Sequence, residues 1–215
     1  PREFYTGQSV IFDIENPSIF GADEANTFLK PAYQNDGTIQ ANYQADFDNV
    51  ADADPVSQMQ YIDLHHFMLN DILQKADKIS MAHSLELRVP FLDPKVAKAA
   101  GEVPTKYLIN SHDTKYAYRQ ASAKHLPTAW ANRPKLGFPV PIKQWLEDDK
   151  YYEKVKALFS EDFVAEFFDQ DKLLALLDAN KEQRINGRRK IWTIFTFLTW
   201  YKVYFQNVED YLALG

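Results

Sequence analysis

The chain has 215 residues and a formal net charge of -6, with a pI near 5.4; this argues against a phosphate-backbone binder, which needs a basic face. Hydrophobic residues make up 46% and charged ones 25%, the balance of a soluble globular protein, in a chain long enough for one large domain or two small ones. There is no cysteine, which removes disulfides, Cys-ligated zinc and thiol nucleophiles together.

The sequence opens Pro1-Arg2-Glu3 with neither an initiator methionine nor an apolar leader. A cytoplasmic segment cut from something longer is the expectation. "FYTGQSVIFDIENP" reads as a short extended piece or turn leading into a helix through "FGADEANTFLK". Residues 35–54 are polar without a steady period and read as a surface loop. Asp54 as N-cap and Pro55 at the first helical position open a helix running to about Lys78, with Met59, Ile62, Met68, Leu69 and Ile72 as its buried stripe. Asp93-Pro94 repeats that cap chemistry for a helix ending before Gly101. A third helix runs from about Asp113 to His125 and is stopped by Pro127.

Asn132 to Leu146 is a proline- and glycine-dense loop with one short helix at its end, and helices fill the chain from Asp149 onward. The last, "KIWTIFTFLTWYKVYF", is too short and too interrupted to span a bilayer. Ile191, Ile194, Phe195, Leu198, Tyr201 and Phe205 follow helical spacing, so it reads as a buried helix. Strand signals are few, and the fold class is mostly α.

Three places carry chemistry. In "DKISMAHSLELRVPFLD" (Asp77 to Asp93), Glu86 and Arg88 flank Leu87 inside an otherwise apolar run. Unpaired charge in a core is costly, so the two either pair with other helices and fix the turn into Asp93 or face a substrate or nucleotide. In "RPKLGF", Gly137 lets the backbone bend so that Lys135 can be aimed at developing negative charge, the alternative being a solvated lysine at a turn. Lys115 and Arg119 are spaced i, i+4 and repel unless an anion sits between them: Glu86, Asp93 or a ligand. His65 and His66 are adjacent, face different directions and have no metal-spaced partner pair, so no metal site is expected. Arg188-Arg189-Lys190 reads as a solvated helix start rather than a nucleic-acid patch. By composition and spacing alone, this is a helical domain with two suggestive loops.

Taken in order, "LNDILQKADKISMAHSLELRVPFLD", "DTKYAYRQA", "LPTAWANRPKLGFPVPIKQWL" and "RRKIWTIFTFLTWYKVYF" resemble the C-terminal synthetase portion of the glutamine-hydrolysing asparagine synthetase family. The opening "FYTGQSVIF" is similar to the stretch just downstream of that family's acidic-glycine nucleotide loop. The resemblance covers nearly all of 1–215 and implies the helical C-terminal portion of an adenine-nucleotide α-hydrolase-like (PP-loop ATP pyrophosphatase) synthetase domain. It implies a reaction in which ATP, with Mg²⁺, adenylates the side-chain carboxylate of aspartate and ammonia from glutamine displaces AMP.

Lys135 matches the family lysine that stabilises charge in that step. Glu86 and Arg88 match its Glu-x-Arg, Glu86 as catalytic and Arg88 as site-adjacent, with Lys115 and Arg119 placed nearby. The family's Ser-Gly-Gly-x-Asp-Ser pyrophosphate loop and its glutaminase cysteine are not among these residues. The expectation is therefore a piece inactive alone, whose partner is the rest of the same polypeptide. A β-lactam synthetase-like or peptide-cyclising relative, or a non-catalytic helical interaction module, are the alternatives.

Overall fold

The computed structural model describes residues 22–34, 38–134 and 140–206, which are mostly helical and contain no strand. The described residues fall into two compact units, one over 43–134 and one formed by 22–34, 38–42 and 140–206.

The second unit holds the dense core. Helix α1 (Ala22–Phe28) leads to an isolated antiparallel bridge, Leu29 with Phe168, closed by the Lys30 amide on the Phe167 carbonyl (2.8 Å) and the Asp169 amide on the Phe28 carbonyl (2.8 Å). α9 (Ile142–Glu147), α10 (Asp149–Phe159), α11 (Val164–Phe167), α12 (Gln170–Lys181) and α13 (Arg188–Tyr201) complete it. Asp148 and Asp169 cap α10 and α12, each accepting a first-turn amide. Leu173, Leu176 and Leu177 of α12 meet Ile191, Ile194 and Leu198 of α13, spaced to share one face of each helix. Gly187 precedes α13 because a Cβ there would come within 3.2 Å of Leu176 Cδ1.

The first unit is more open. Ahead of it in the chain runs the short 3₁₀ turn Pro31–Tyr33, then α2 (Thr38–Asn49), whose later turns belong to this unit. A continuous helix spans 55–82: α3 (Pro55–Asp63) widens to π winding over Leu64–Leu73 and returns to α winding as α4 (Gln74–Ala82). Asp54 caps α3 as expected, accepting the amides of Val56 (3.0 Å) and Ser57 (3.3 Å). After the 3₁₀ turn Pro90–Leu92 come α5 (Pro94–Gly101), α6 (Thr105–Leu108), α7 (Tyr116–Ser122) and α8 (Thr128–Ala131).

Four expectations are corrected. Residues 35–54 are not a loop throughout, since Thr38–Asn49 is helical; Tyr43 and Phe47 at i, i+4 supply a short apolar edge that the polar composition hides, and Phe47 is buried. Of the proposed stripe Ile62 is buried and Met59, Met68 and Ile72 are half-buried, but Leu69 is exposed, since the wider π winding turns less per residue and rotates it out of phase with Ile62. The third helix is shorter than Asp113–His125: Asn110 accepts the amides of His112 and Asp113 in a side-chain turn, so α7 starts only at Tyr116. Phe205 does not share the burial of Ile191, Ile194 and Leu198; it lies in the π-wound end (Lys202–Gln206) that follows α13. The proposed extended piece 4–17 lies outside the described residues.

Candidate functional site

The segment carrying Glu86 and Arg88 begins where α4 ends. Ser84 takes a left-handed backbone (φ 56°), the Leu85 amide donates to the Ser80 carbonyl (2.9 Å) and the Ser84 amide to that of Met81 (2.9 Å). This double closure satisfies the last carbonyls of α4 and releases the chain as an extended strip. Along it Glu86 and Arg88 form an ion pair at 2.6 Å. Their side chains are 69% and 83% exposed, so neither is a core charge, and they pair with each other rather than with other helices. The strip ends at Asp93, which caps α5 through the Lys95 amide (2.9 Å) as expected.

Phe91 in the turn before Asp93 sets its ring edge-on to Tyr118 of α7, with centroids 5.6 Å apart. The next residue, Arg119, is three-quarters or more covered, and its Nη1 donates to the carbonyls of Ala131 (3.1 Å) and Arg133 (3.2 Å). Arg119 Nε points toward Asp113 Oδ1 at 3.6 Å and makes no hydrogen bond. The anion beside Arg119 is thus Asp113, not Glu86 or Asp93. Lys115 stands before α7 with φ −141° rather than on its face, which undoes the expected i, i+4 pair. The Arg133 guanidinium lies 5.9 Å from the Trp130 ring centre. Lys135 lies outside the described residues, two positions beyond the Arg133 carbonyl that Arg119 holds.

Phe91–Tyr118 and the Arg119 fork therefore bring three separated motifs, 86–93, 115–119 and 131–133, into one neighbourhood. Sequence spacing did not reveal Phe91, Tyr118 or the Ala131 carbonyl; an aromatic between Pro90 and an N-cap aspartate was the available signal. A fourth tie joins α3 to α6: the Thr105 hydroxyl donates to Asp54 Oδ2 (2.8 Å) beside that of Ser57 (2.6 Å). The Ser57 hydroxyl first, then that of Thr105, holds the Asp54 carboxyl down at about 2.

Elsewhere, His66 bonds Asp46 (2.6 Å) against the Tyr43 ring. The second unit has an apolar cavity of about 470 Å³ between Phe28, Tyr33, Phe167, Phe197 and Tyr201, with almost no polar surface for chemistry. A smaller polar cleft of about 390 Å³ sits among Lys143, Glu147, Arg184 and Arg188. Among the described residues no three His, Asp or Glu side chains cluster to hold a metal, and no helix is long and apolar enough to cross a membrane.

The sequence model described as Asparagine synthase matches residues 15–202. The chain is 40% identical over 154 residues to asparagine synthetase [glutamine-hydrolyzing] 1 of Bacillus subtilis, over 72% of this chain and 24% of that protein. Putative asparagine synthetases [glutamine-hydrolyzing] of Mycobacterium bovis and Mycobacterium tuberculosis match with the same identity and the same shares. The chain thus spans about a quarter of the length of these relatives. No solved structure matches it significantly.

Proposed function

The chain belongs to the asparagine synthase family, and from that premise we propose that it forms one wall of the synthetase site of a glutamine-hydrolysing asparagine synthetase. In the proposed reaction an oxygen of the aspartate side-chain carboxylate bonds to the α-phosphorus of ATP and pyrophosphate leaves. Ammonia, released from glutamine elsewhere in the polypeptide, then bonds to the activated carbonyl carbon, and AMP leaves with the bonding electrons. Both steps gather negative charge that fixed cations stabilise.

Lys135 is the cation proposed for the phosphates. Glu86, solvent-facing and oriented by Arg88, is the carboxylate proposed to take the proton that the attacking ammonia sheds. Lys115 has no ion-pair partner among the described residues and is proposed as a second contact for the anionic substrate. Arg119 is proposed to act by position, holding the Arg133 carbonyl two residues ahead of Lys135.

Magnesium would neutralise the polyphosphate; no three His, Asp or Glu side chains cluster among the described residues, and it is proposed to be held through the nucleotide phosphates. The PP-loop architecture is likewise proposed for the polypeptide as a whole, with the nucleotide loop in the part that this quarter does not include.

The observation that supports this reading is the Arg119 fork on Ala131 and Arg133 joined to the Phe91–Tyr118 contact, which ties the turn after the Glu-x-Arg strip to residues 131–133, just ahead of Lys135 in the sequence. The test is Lys135→Ala in the full synthetase, read as aspartate-dependent pyrophosphate release. A loss of roughly 100-fold or more with an unchanged circular dichroism spectrum is expected; unchanged release removes Lys135 from the mechanism.

A further inference from the structure

The first unit buries little of its own apolar surface. Its buried hydrophobic residues are Phe47, Ile62 and Ala131 among those described, against fifteen in the second unit. The deficit runs through the unit, from Leu64 and Met81 to Leu126 and Trp130, and includes a regular row on the strip after α4. Leu85, Leu87 and Val89 are 61%, 49% and 45% exposed, and Phe91 is 64% exposed despite its contact with Tyr118.

These residues alternate with Glu86 and Arg88, the two-residue period of a half-buried strand. The Glu86–Arg88 pair at 2.6 Å shows the two charges on one side of the extended backbone, which leaves Leu85, Leu87 and Val89 on the other. The amides of Glu86, Leu87, Arg88 and Val89 donate to no described residue, although the Val89 carbonyl accepts from Leu92 (2.9 Å). Unpaired amides beside an exposed apolar row make a template for strand addition.

We propose that Leu85–Val89 is a docking edge, on which a strand with an apolar layer behind it, supplied by the part of the synthetase polypeptide outside this quarter, pairs and buries Leu85, Leu87 and Val89. The opposite face keeps Glu86 and Arg88 toward the reaction site. The proposal rests on the function reading above and extends it by naming the surface through which the remaining polypeptide joins the site.

The relatives supply the occupant: this chain matches only 24% of the Bacillus subtilis protein, so about three-quarters of such a polypeptide is available to cover the edge. A second copy of the chain fits less well. Antiparallel pairing about Leu87 would set Glu86 opposite Arg88 favourably, but both apolar rows would share one uncovered face, and an isolated two-stranded ribbon is marginal in water.

The test is hydrogen–deuterium exchange of the 86–89 amides in the full synthetase, with the 215-residue chain as comparison and its mass measured by light scattering. Protection of roughly 100-fold or more over the unstructured rate in the full polypeptide, together with near-unstructured exchange in a monomeric 215-residue chain, is the expected result. Leu87→Lys in the full polypeptide is expected to remove most of that protection. Exchange within about tenfold of the unstructured rate in the full polypeptide overturns the proposal. So does protection already present in the 215-residue chain, whether as a doubled mass, which assigns the edge to a second copy, or as a monomer. Aspartate-dependent pyrophosphate release by the same full-length preparation separates the two readings: release with unprotected amides overturns the docking edge alone, and protection without release overturns the function alone.

Discussion

Arg119 holds the main chain of Arg133: its Nη1 donates to that carbonyl at 3.2 Å while donating to the Ala131 carbonyl at 3.1 Å. One guanidinium thereby fixes the backbone at 131–133, two positions ahead of Lys135 in the sequence, and it does so from a helix that also touches the turn after the Glu-x-Arg strip through Tyr118 and Phe91. Lysine carries the same charge but cannot reproduce the planar fork. Arg119→Lys in the full synthetase is expected to lower kcat for aspartate-dependent pyrophosphate release about tenfold or more, with a much smaller change in KM. Arg119→Ala is expected to cost about 1–3 kcal/mol of stability as well, because two carbonyls lose a charged donor. Equal kinetics for wild type and Arg119→Lys in a correctly folded enzyme would dismiss the positioning role.

The exposed Glu86–Arg88 pair separates chemistry from folding. Pairs this open contribute about 0–1 kcal/mol, so Glu86→Gln and Arg88→Ala are expected to leave stability within about 0.5 kcal/mol of wild type. Glu86→Gln in the full synthetase is nonetheless expected to lower asparagine formation about 100-fold or more. Thermal melts beside turnover measure both; a large drop in melting temperature with intact turnover is the pattern a structural ion pair would give.

Asp54 makes a pH prediction with a definite sign. Its carboxyl is held down to about 2 by the hydroxyls of Ser57 and Thr105, below the usual carboxylate value of about 3.9 in an unfolded chain. A depressed folded value means the contribution is present in full above the unfolded value and is lost as the pH falls from there toward 2. Asp54→Ala is expected to lower stability at neutral pH and to flatten the stability profile between about pH 4 and 2. Denaturant titrations across that range measure it, and parallel profiles for wild type and variant would refute the assignment.

Among the described residues, two helix ends put a non-glycine residue in the left-handed region, Ser84 (φ 56°) after α4 and Gln183 (φ 59°) after α12. At Gln183 the same double closure appears, with the Arg184 amide on the Ala179 carbonyl (2.9 Å) and the Gln183 amide on that of Asn180 (3.0 Å). Glycine removes the Cβ strain at such positions. Gln183→Gly and Ser84→Gly are each expected to raise stability by about 1 kcal/mol, or about 2–4 °C in Tm, by calorimetry. A fall in Tm at either position would mean that the serine or glutamine side chain outweighs the strain.

How much of this was legible from residues alone depended on whether the signal was local. The caps at Asp54 and Asp93 were readable because side chain and amide lie two or three positions apart. So was the α13 face at Ile191, Ile194 and Leu198, whose spacing matches the helical period. The α2 helix was missed because its apolar positions are few. The stripe breaks at Leu69 because π winding leaves no mark in composition. For Glu86 and Arg88 the apolar run leaves two readings, partners on other helices or a face toward a substrate or nucleotide; the first assumes burial, and the exposure of the run is visible only in three dimensions. The Arg119 fork spans 14 residues onto a carbonyl, an acceptor with no side-chain identity to read.

The π-wound stretch Leu64–Leu73 bears on how this region tolerates insertions and deletions. A helix is a phase-keeping device: each residue added or removed rotates everything beyond it by roughly 100°. Loss of a single codon inside 64–73 would let the wide turns relax toward ordinary winding, and α4 would leave with a different azimuth. Ser84 and the Glu-x-Arg strip hang from the end of that helix, so their aim would change without any site residue being touched. In this part of the chain the length of the message constrains function as strictly as its letters do.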